Sequence, residues 1–375
     1  MSILLLISSF AFFSVTLALS LANISAGGQI TFTATPVDTS NLEFTDYDDI
    51  NLTCSVKAKS TDISGDIVIP STTTKDGKTY TVTAITEGSR VGAGLGVSGG
   101  FGGCTQITSV IIPNSMTSLC EGAFYGCTGL ISIQIPDSVL TIGSFAFSDC
   151  NSLTTLNLPS NLETINSYTF TVCESLTSIE LPNSVTTIND HAFSNSYITT
   201  FEMPNSVTNV GISAFEGCLS LETITLSENI ETIELGTFSA CENLTEVIIP
   251  NSVTTINASA FADCFALSSV TFSENLLKIG DTAFSSCEAL EEITLPDSVT
   301  TLGSSAFSYC TALSSVILSE NLNYIGTYAF EGCENLTSAV FKNPNGWHLG
   351  DNLSDPASAA TELTTTWVNS TWTRS

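Results

Sequence analysis

Residues 153–173 read LTTLNLPSNLETINSYTFTVC, and the stretch returns down the chain with small changes. It comes back as LTSIELPNSVTTINDHAFSNS at 176–196, LETITLSENIETIELGTFSAC at 221–241 and LTEVIIPNSVTTINASAFADC at 244–264. Successive copies almost always start 23 residues apart. A fixed period in this range marks a solenoid, because no single unit can bury its own apolar face and stacked neighbours must do it together. Repetition therefore overrides the two or three domains that 375 residues would otherwise suggest.

The unit has the form L-x-x-[IVL]-x-[IL]-[PS]-x-x-[VLI]-x-x-I-[GN]-x-x-[AT]-F-x-x-C-x-x. Its Phe column runs Phe101, Phe124, Phe147, Phe170, Phe193, Phe215, Phe238, Phe261, Phe284, Phe307 and Phe330. Its Cys column runs Cys104, Cys127, Cys150, Cys173, Cys218, Cys241, Cys264, Cys287, Cys310 and Cys333. Ser196 stands in one Cys position, and that repeat is a residue short, so one coil is tightened. In Leu176, Ile179 and Leu181 the last two flank Glu180, which is strand periodicity with the apolar side inward. Stacked coils then form a parallel sheet, and Pro182 ends the strand where a missing N–H does least harm. Val185 and Ile188 turn inward on the opposite side as a second short extended piece. The Asn or Gly after Ile suits a positive-φ turn, and Ala192–Phe193 begins a short helical turn carrying Phe into a continuous core spine. Each coil buries about seven apolar groups on this reading.

The strings PNSVTTINASAFADC (250–264) and PDSVTTLGSSAFSYC (296–310) resemble the BspA-like leucine-rich repeats, whose signature is P-x-S-V-T-x-I-G-x-x-A-F-x-x-C. The likeness covers about residues 63–341, and the ending GWHLGDNLSDPASAATELTTTW from Gly346 resembles the stretch that often follows such arrays. The resemblance implies a curved leucine-rich-repeat solenoid, β-rich, with a parallel sheet on one face and short extended and helical turns on the other. It also implies secreted or cell-surface placement and adhesion to host proteins, other cells or matrix. The glycine-rich segment departs from the usual uninterrupted first repeat.

The expected organisation is a signal peptide over 1–22 (a retained signal anchor being the alternative), an N-terminal β cap over 23–85 and a glycine-rich insertion over 86–103. Tandem repeats over 104–341 and a C-terminal cap over 342–375 follow. Within the first cap, Lys75 to Lys78 reads KDGK, an Asp-Gly hairpin signal. The insertion leads into repeat register at Phe101 and Cys104 rather than into a helix, so it reads as a surface loop, not a phosphate cradle. In the last segment lie all three tryptophans, Trp347, Trp367 and Trp372, and a short helix is expected over Ala357–Leu363. Sequons at Asn51, Asn243, Asn257, Asn335, Asn352 and Asn369 permit N-glycosylation.

The formal net charge is -29, from 37 Asp and Glu against 8 Lys and Arg. Such a chain repels phosphate backbones and anionic membranes, which argues against nucleic acid as a partner and leaves cationic partners, divalent ions or neutral glycans. Twelve cysteines in a secreted chain raise the question of disulfides. Equivalent side chains in stacked coils point the same way rather than converge, so buried free thiols are expected, with Cys54 and Cys120, outside the column, as the one candidate pair. No C-x₂₋₄-C spacing, cofactor motif or calcium loop is present, and the two histidines, His191 and His348, flag no nucleophile. The chain therefore reads as a non-enzyme without metal or cofactor.

Binding has the better physical case. The side chains flanking the inward strand residues project from the sheet: Gln134, Asn157, Glu180, Glu202, Thr225, Glu246, Thr271, Glu292 and Thr294 form the candidate ligand face. This surface of hydroxyls and carboxylates carries few aromatics, so binding is weak per site and gains through many copies. The expected function is protein or glycan adhesion by a monomeric extracellular protein, set against a purely structural or decoy surface component and a soluble recognition receptor. A second regularity, Ser-Glu-Asn at 227–229, 273–275 and 319–321, recurs every other repeat and puts Glu228, Glu274 and Glu320 on one edge.

Overall fold

The computed structural model describes residues 37–91, 96–343, 347–349, 352–353 and 372–374. The expected leader over 1–22, part of the glycine-rich insertion and the helix expected over 357–363 lie outside the described residues. Every regular element among those residues is a β-strand, so the described residues form a β-solenoid without a helix. No described helix is therefore long and apolar enough to cross a membrane.

The chain enters through β1 (Leu42–Asp48), antiparallel to β2 (Thr53–Ala58), and then β3 (Ser64–Val68). Next, β4 (Thr72–Lys75) and β5 (Lys78–Ile85) form a hairpin. Asp76 and Gly77 both adopt positive φ, 51° and 74°, at its tip, as a tight two-residue turn matching strand twist requires. The glycine-rich segment carries an antiparallel pair, β6 (Ser89–Val91) and β7 (Gly96–Ser98). β3 pairs in parallel with β8 (Gln106–Ile111), and β5 pairs with Ser118–Leu119, so this segment leads directly into both ladders of the array.

Nearly every coil then contributes a three- or four-residue strand on one side and a two-residue strand on the other, each parallel to the equivalents it pairs with in neighbouring coils. Ile133 lies opposite Val110 and Leu156 in the first ladder, and Ile188 opposite Ile165 and Val210 in the second. Between them, P-x-S-V is a turn in which the Val N–H donates to the Pro carbonyl, as Val253 does to Pro250 at 3.0 Å. The coil from Leu244 to Cys264 buries Leu244, Val247, Ile249, Val253, Ile256, Ala260, Phe261 and Cys264 almost completely.

The Ala-Phe corner is not helical, contrary to the sequence expectation for Ala192–Phe193. The residues just before Ala and just before the Cys-column position take left-handed backbone conformations, for example His191 (55°) and Asn195 (55°), or Ser259 (54°) and Asp263 (60°). Two left-handed residues four apart break helical progression, at about 1–2 kcal/mol each when they carry a Cβ. Alternate N–H groups of the corner go to the next coil instead: Phe261 N–H donates to the Ala283 carbonyl at 2.7 Å and Phe284 N–H to Ala306 at 2.8 Å, while Ala262 N–H closes a turn on Ser259 at 3.2 Å. Coil stacking thus satisfies the backbone groups that a helix would have satisfied internally.

A second expectation is corrected at the Gly or Asn after Ile. Gly143, Gly280, Gly303 and Gly326 are not in the left-handed region; what they need is space. A Cβ on Gly303 would fall 2.4 Å from the Gly280 carbonyl carbon and 2.5 Å from Asp281 N, because successive coils approach backbone to backbone there. Where Asn stands instead, its amide bonds to the coil upstream, as Asn166 Nδ2 does to the Ile142 carbonyl at 2.7 Å.

The Phe side chains form an unbroken stack from Phe101 to Phe330, with ring centroids 5.1–5.7 Å apart and planes within 17° of parallel. Beside it runs the thiol column. All twelve cysteines are free. Each column thiol from Cys127 onward donates to a Phe carbonyl one coil upstream, as Cys264 Sγ does to Phe238 at 3.2 Å and Cys287 Sγ to Phe261 at 3.3 Å. Cys suits this position because it is small, apolar and still a donor. Ser196 keeps a polar hydrogen there, 3.4 Å from Cys218 Sγ. The Cys54–Cys120 pair does not form: β5 lies between β2 and the strand preceding Cys120, holding the two residues apart.

Candidate ligand-binding face

The nine outward positions, Gln134, Asn157, Glu180, Glu202, Thr225, Glu246, Thr271, Glu292 and Thr294, are all exposed and follow one another on the sheet side. The strand alternation fixes this: Phe201 is buried while Thr200 and Glu202 beside it point out, and Val247 is buried between Glu246 and Ile248. Some of these side chains sit directly opposite one another in the ladder, Gln134 against Asn157 and Glu202 against Thr225, while Thr294 lies opposite Ile317.

The ladder is not continuous. Residues 178–180 form no strand, so pairing lapses on both sides of Ile179, and it lapses again between Thr223–Thr225 and Glu246–Ile248 and between Ser269–Thr271 and Glu292–Thr294. Openings follow the first three of these lapses. One of about 440 Å³ lies over Leu156, Leu158, Glu180 and Leu181, and one of about 560 Å³ over Leu181, Glu202, Met203, Thr225 and Glu228. A third, of about 250 Å³, lies over Ile224, Leu226, Glu246 and Ile248. Neighbouring openings share residues, Ile179 to Leu181 for the first two and Thr225, Leu226 and Glu228 for the last two, so they make one trough across the strands. The coil that brings Glu202 and Met203 to the largest of these three follows the short corner, where a single residue, Tyr197, separates Ser196 from Ile198 instead of the usual two. The inward residues Leu156, Leu158, Leu181 and Ile224 are only partly buried, so the trough has an apolar floor.

Along one edge, the alternating Ser-Glu-Asn motif has a structural role. Asn205 Oδ1 accepts from Glu228 N at 2.9 Å, the Asn205 carbonyl accepts from Asn229 Nδ2 at 2.7 Å, and Ser227 Oγ donates to the Val207 carbonyl at 2.6 Å. Asn251 with Glu274 and Asn275 repeats the pattern, as does Asp297 with Glu320 and Asn321. The motif clips coils together in pairs, which gives the 46-residue alternation a physical basis.

Little reactive chemistry is assembled among the described residues. No group of three or more His, Cys, Asp and Glu side chains gathers there to hold a metal. Burial pushes the Cys173 and Cys264 thiols up to about 12 and those of Cys104 and Cys120 up to about 11, so these thiols stay protonated and unreactive at neutral pH. His191 stacks on Tyr168, ring centroids 4.7 Å apart, which in turn stacks on Phe145, and its Nδ1 lies 3.7 Å from a Glu216 carboxylate oxygen. The His348 side chain lies outside the described residues. Of the sequons, Asn51, Asn243 and Asn335 are exposed and Asn257 is half-buried. The amides of Asn243 and Asn335 donate to upstream carbonyls at 2.6 and 2.8 Å.

The chain belongs to the family of the BspA type leucine-rich repeat region, whose model matches residues 98–222, 164–276 and 231–347 in overlapping segments. The fold is similar to that of a leucine-rich repeat protein from Bacteroides ovatus, at 28% identity and a TM-score of 0.63, covering 81% of this chain and 70% of that one. It is also similar to that of the pneumococcal vaccine antigen PcpA, at 20% identity and a TM-score of 0.51, covering 82% and 81%. No curated protein sequence matches the chain. The family is one of repeat scaffolds suited to protein binding.

Proposed function

We propose that this protein is a secreted or cell-surface, non-enzymatic adhesion protein that binds protein or glycan partners through its sheet face. The observation that carries the reading is the row of nine exposed side chains on one side of a rigid spine, opened by a trough with an apolar floor. Loops usually carry function because they can vary; here the variable residues sit on strands whose inward neighbours are fixed by packing. A regular scaffold of this kind presents many modest contacts at set spacing, which favours avidity over one deep pocket.

An array of matrix proteins and glycans, probed with the multimerised protein, tests the reading. Binding should be lost in the face variant T225R/T271R and retained in T186R, which alters the second ladder's side. Equal binding by both variants refutes the sheet face as the site. No binding by any form leaves a structural surface component. Sequencing the mature N-terminus tests the secretory leader over 1–22.

A further inference from the structure

The rim of the trough is acidic and uncompensated. Glu180, Glu202, Glu228 and Glu246 stand along it, all exposed, and none has an ion-pair partner among the described residues. Their surroundings make this systematic, because no Lys or Arg occurs between Arg90 and Lys278. Four like charges along one cleft raise the local concentration of cations and speed their capture. Beneath the rim lie Leu156, Leu181 and Ile224, partly buried, and beside Glu246 on the outward side stands Ile248, which is 67% exposed. A purely ionic ligand leaves that floor wet, and a purely apolar one gains nothing from the rim.

We infer that the trough takes an extended peptide segment in which lysine or arginine alternates with apolar residues, laid across the strands from Leu156 to Ile248. This names the partner class for the binding face proposed above and rests on that reading. Dimensions support it: four coil steps at ~4.8 Å span about 19 Å, the length of about six extended residues at ~3.3 Å each. Alternation sets apolar side chains down on Leu156, Leu181 and Ile224, while the long cationic side chains, pointing away, curl to the rim with their stems along the walls. The trough residues include no aromatic platform on which a neutral sugar would stack, and anionic glycans meet the same repulsion as nucleic acid.

The test uses the full chain and two labelled hexapeptides, Ac-KIKTKI-NH2 and Ac-EIETEI-NH2, read by fluorescence anisotropy. The first should bind and the second should not, and raising NaCl from 50 to 300 mM should weaken binding at least tenfold. E180Q/E202Q/E228Q/E246Q replaces four exposed carboxylates by near-isosteres, so its fold should persist, checked by far-UV circular dichroism, while affinity falls at least tenfold and the salt dependence flattens. Undiminished binding by that variant, or equal binding of both peptides, overturns the proposal. If the array partners are still lost in T225R/T271R when the lysine peptide fails, the cationic occupant is wrong and the adhesive face stands. If that variant also binds them normally, both readings fall.

Discussion

Raising the pH above 9 should unfold the array through its thiol column. Burial raises the Cys173 and Cys264 thiols from an ordinary 9.0 to about 12, and lifts Cys150 and Cys287 well above the ordinary value. In the unfolded chain these groups lose their protons near pH 9, while in the folded chain Cys173 and Cys264 keep theirs until about 12. The folded state therefore binds more protons in that window, and stability falls as pH rises, by ~1.4 kcal/mol per pH unit for each thiol. The contribution is intact below pH 9 and gone by about 12. At pH 11 Cys173 and Cys264 alone remove about 5–6 kcal/mol, which is comparable to the whole stability of an ordinary domain. Tyr80 adds to the same limb, since its hydrogen bond to Asp49 pushes its hydroxyl up to about 12. Thiolate absorbance near 240 nm and far-UV circular dichroism, recorded together against pH, should change in one cooperative step between pH 10 and 11. C264A should reduce by one the number of protons released in that step. Thiolate signal growing smoothly from pH 9 while the β signal holds would refute the reasoning, because it would mean that the column ionises inside a folded array.

Phe261 stacks on Phe238 and Phe284 at 5.2 and 5.1 Å, so F261A should cost about 3–5 kcal/mol. Hydrogen exchange should accelerate most in the coils on either side, since a solenoid fails between neighbours. G303A should cost about 1–3 kcal/mol, from backbone atoms 2.4–2.5 Å from the new Cβ, and lower Tm. By contrast, G126A has open space around its Cβ and pays only for a left-handed φ of 67°, about 1–2 kcal/mol, and a Tm loss in G126A larger than that in G303A refutes the close-approach argument. Asp49 is held below its ordinary value by Lys78, whose Nζ lies 2.7 Å away, and by the Tyr80 hydroxyl. Its contribution is present above the ordinary carboxylate value and is lost as pH falls through the lowered one. D49N should thus have a lower Tm than the parent at pH 7 and an equal one at pH 2, by differential scanning fluorimetry.

Repetition in the sequence determined the solenoid, the period, and which side of each strand turns inward, because apolar alternation and a 23-residue repeat admit few other burials. It also located the nine outward positions, since strand alternation leaves them nowhere else to point. The corner geometry was only faintly written. Glycine takes the pre-Ala or pre-Cys place in a few copies, Gly122, Gly126, Gly217, Gly236 and Gly332, and this was the available sign that both places need left-handed backbone. Elsewhere Phe145, Tyr168, Asp149 or Val172 occupies them, and a column that accepts large side chains does not announce its φ. Tertiary structure alone decided the trough. Whether adjacent strands pair or splay depends on how whole coils stack, so the lapses around Ile179 and between Thr225 and Glu246 have no local signature apart from the missing residue after Ser196. The function of the post-Ile glycines was likewise a matter of distance between coils, which a one-dimensional pattern does not contain.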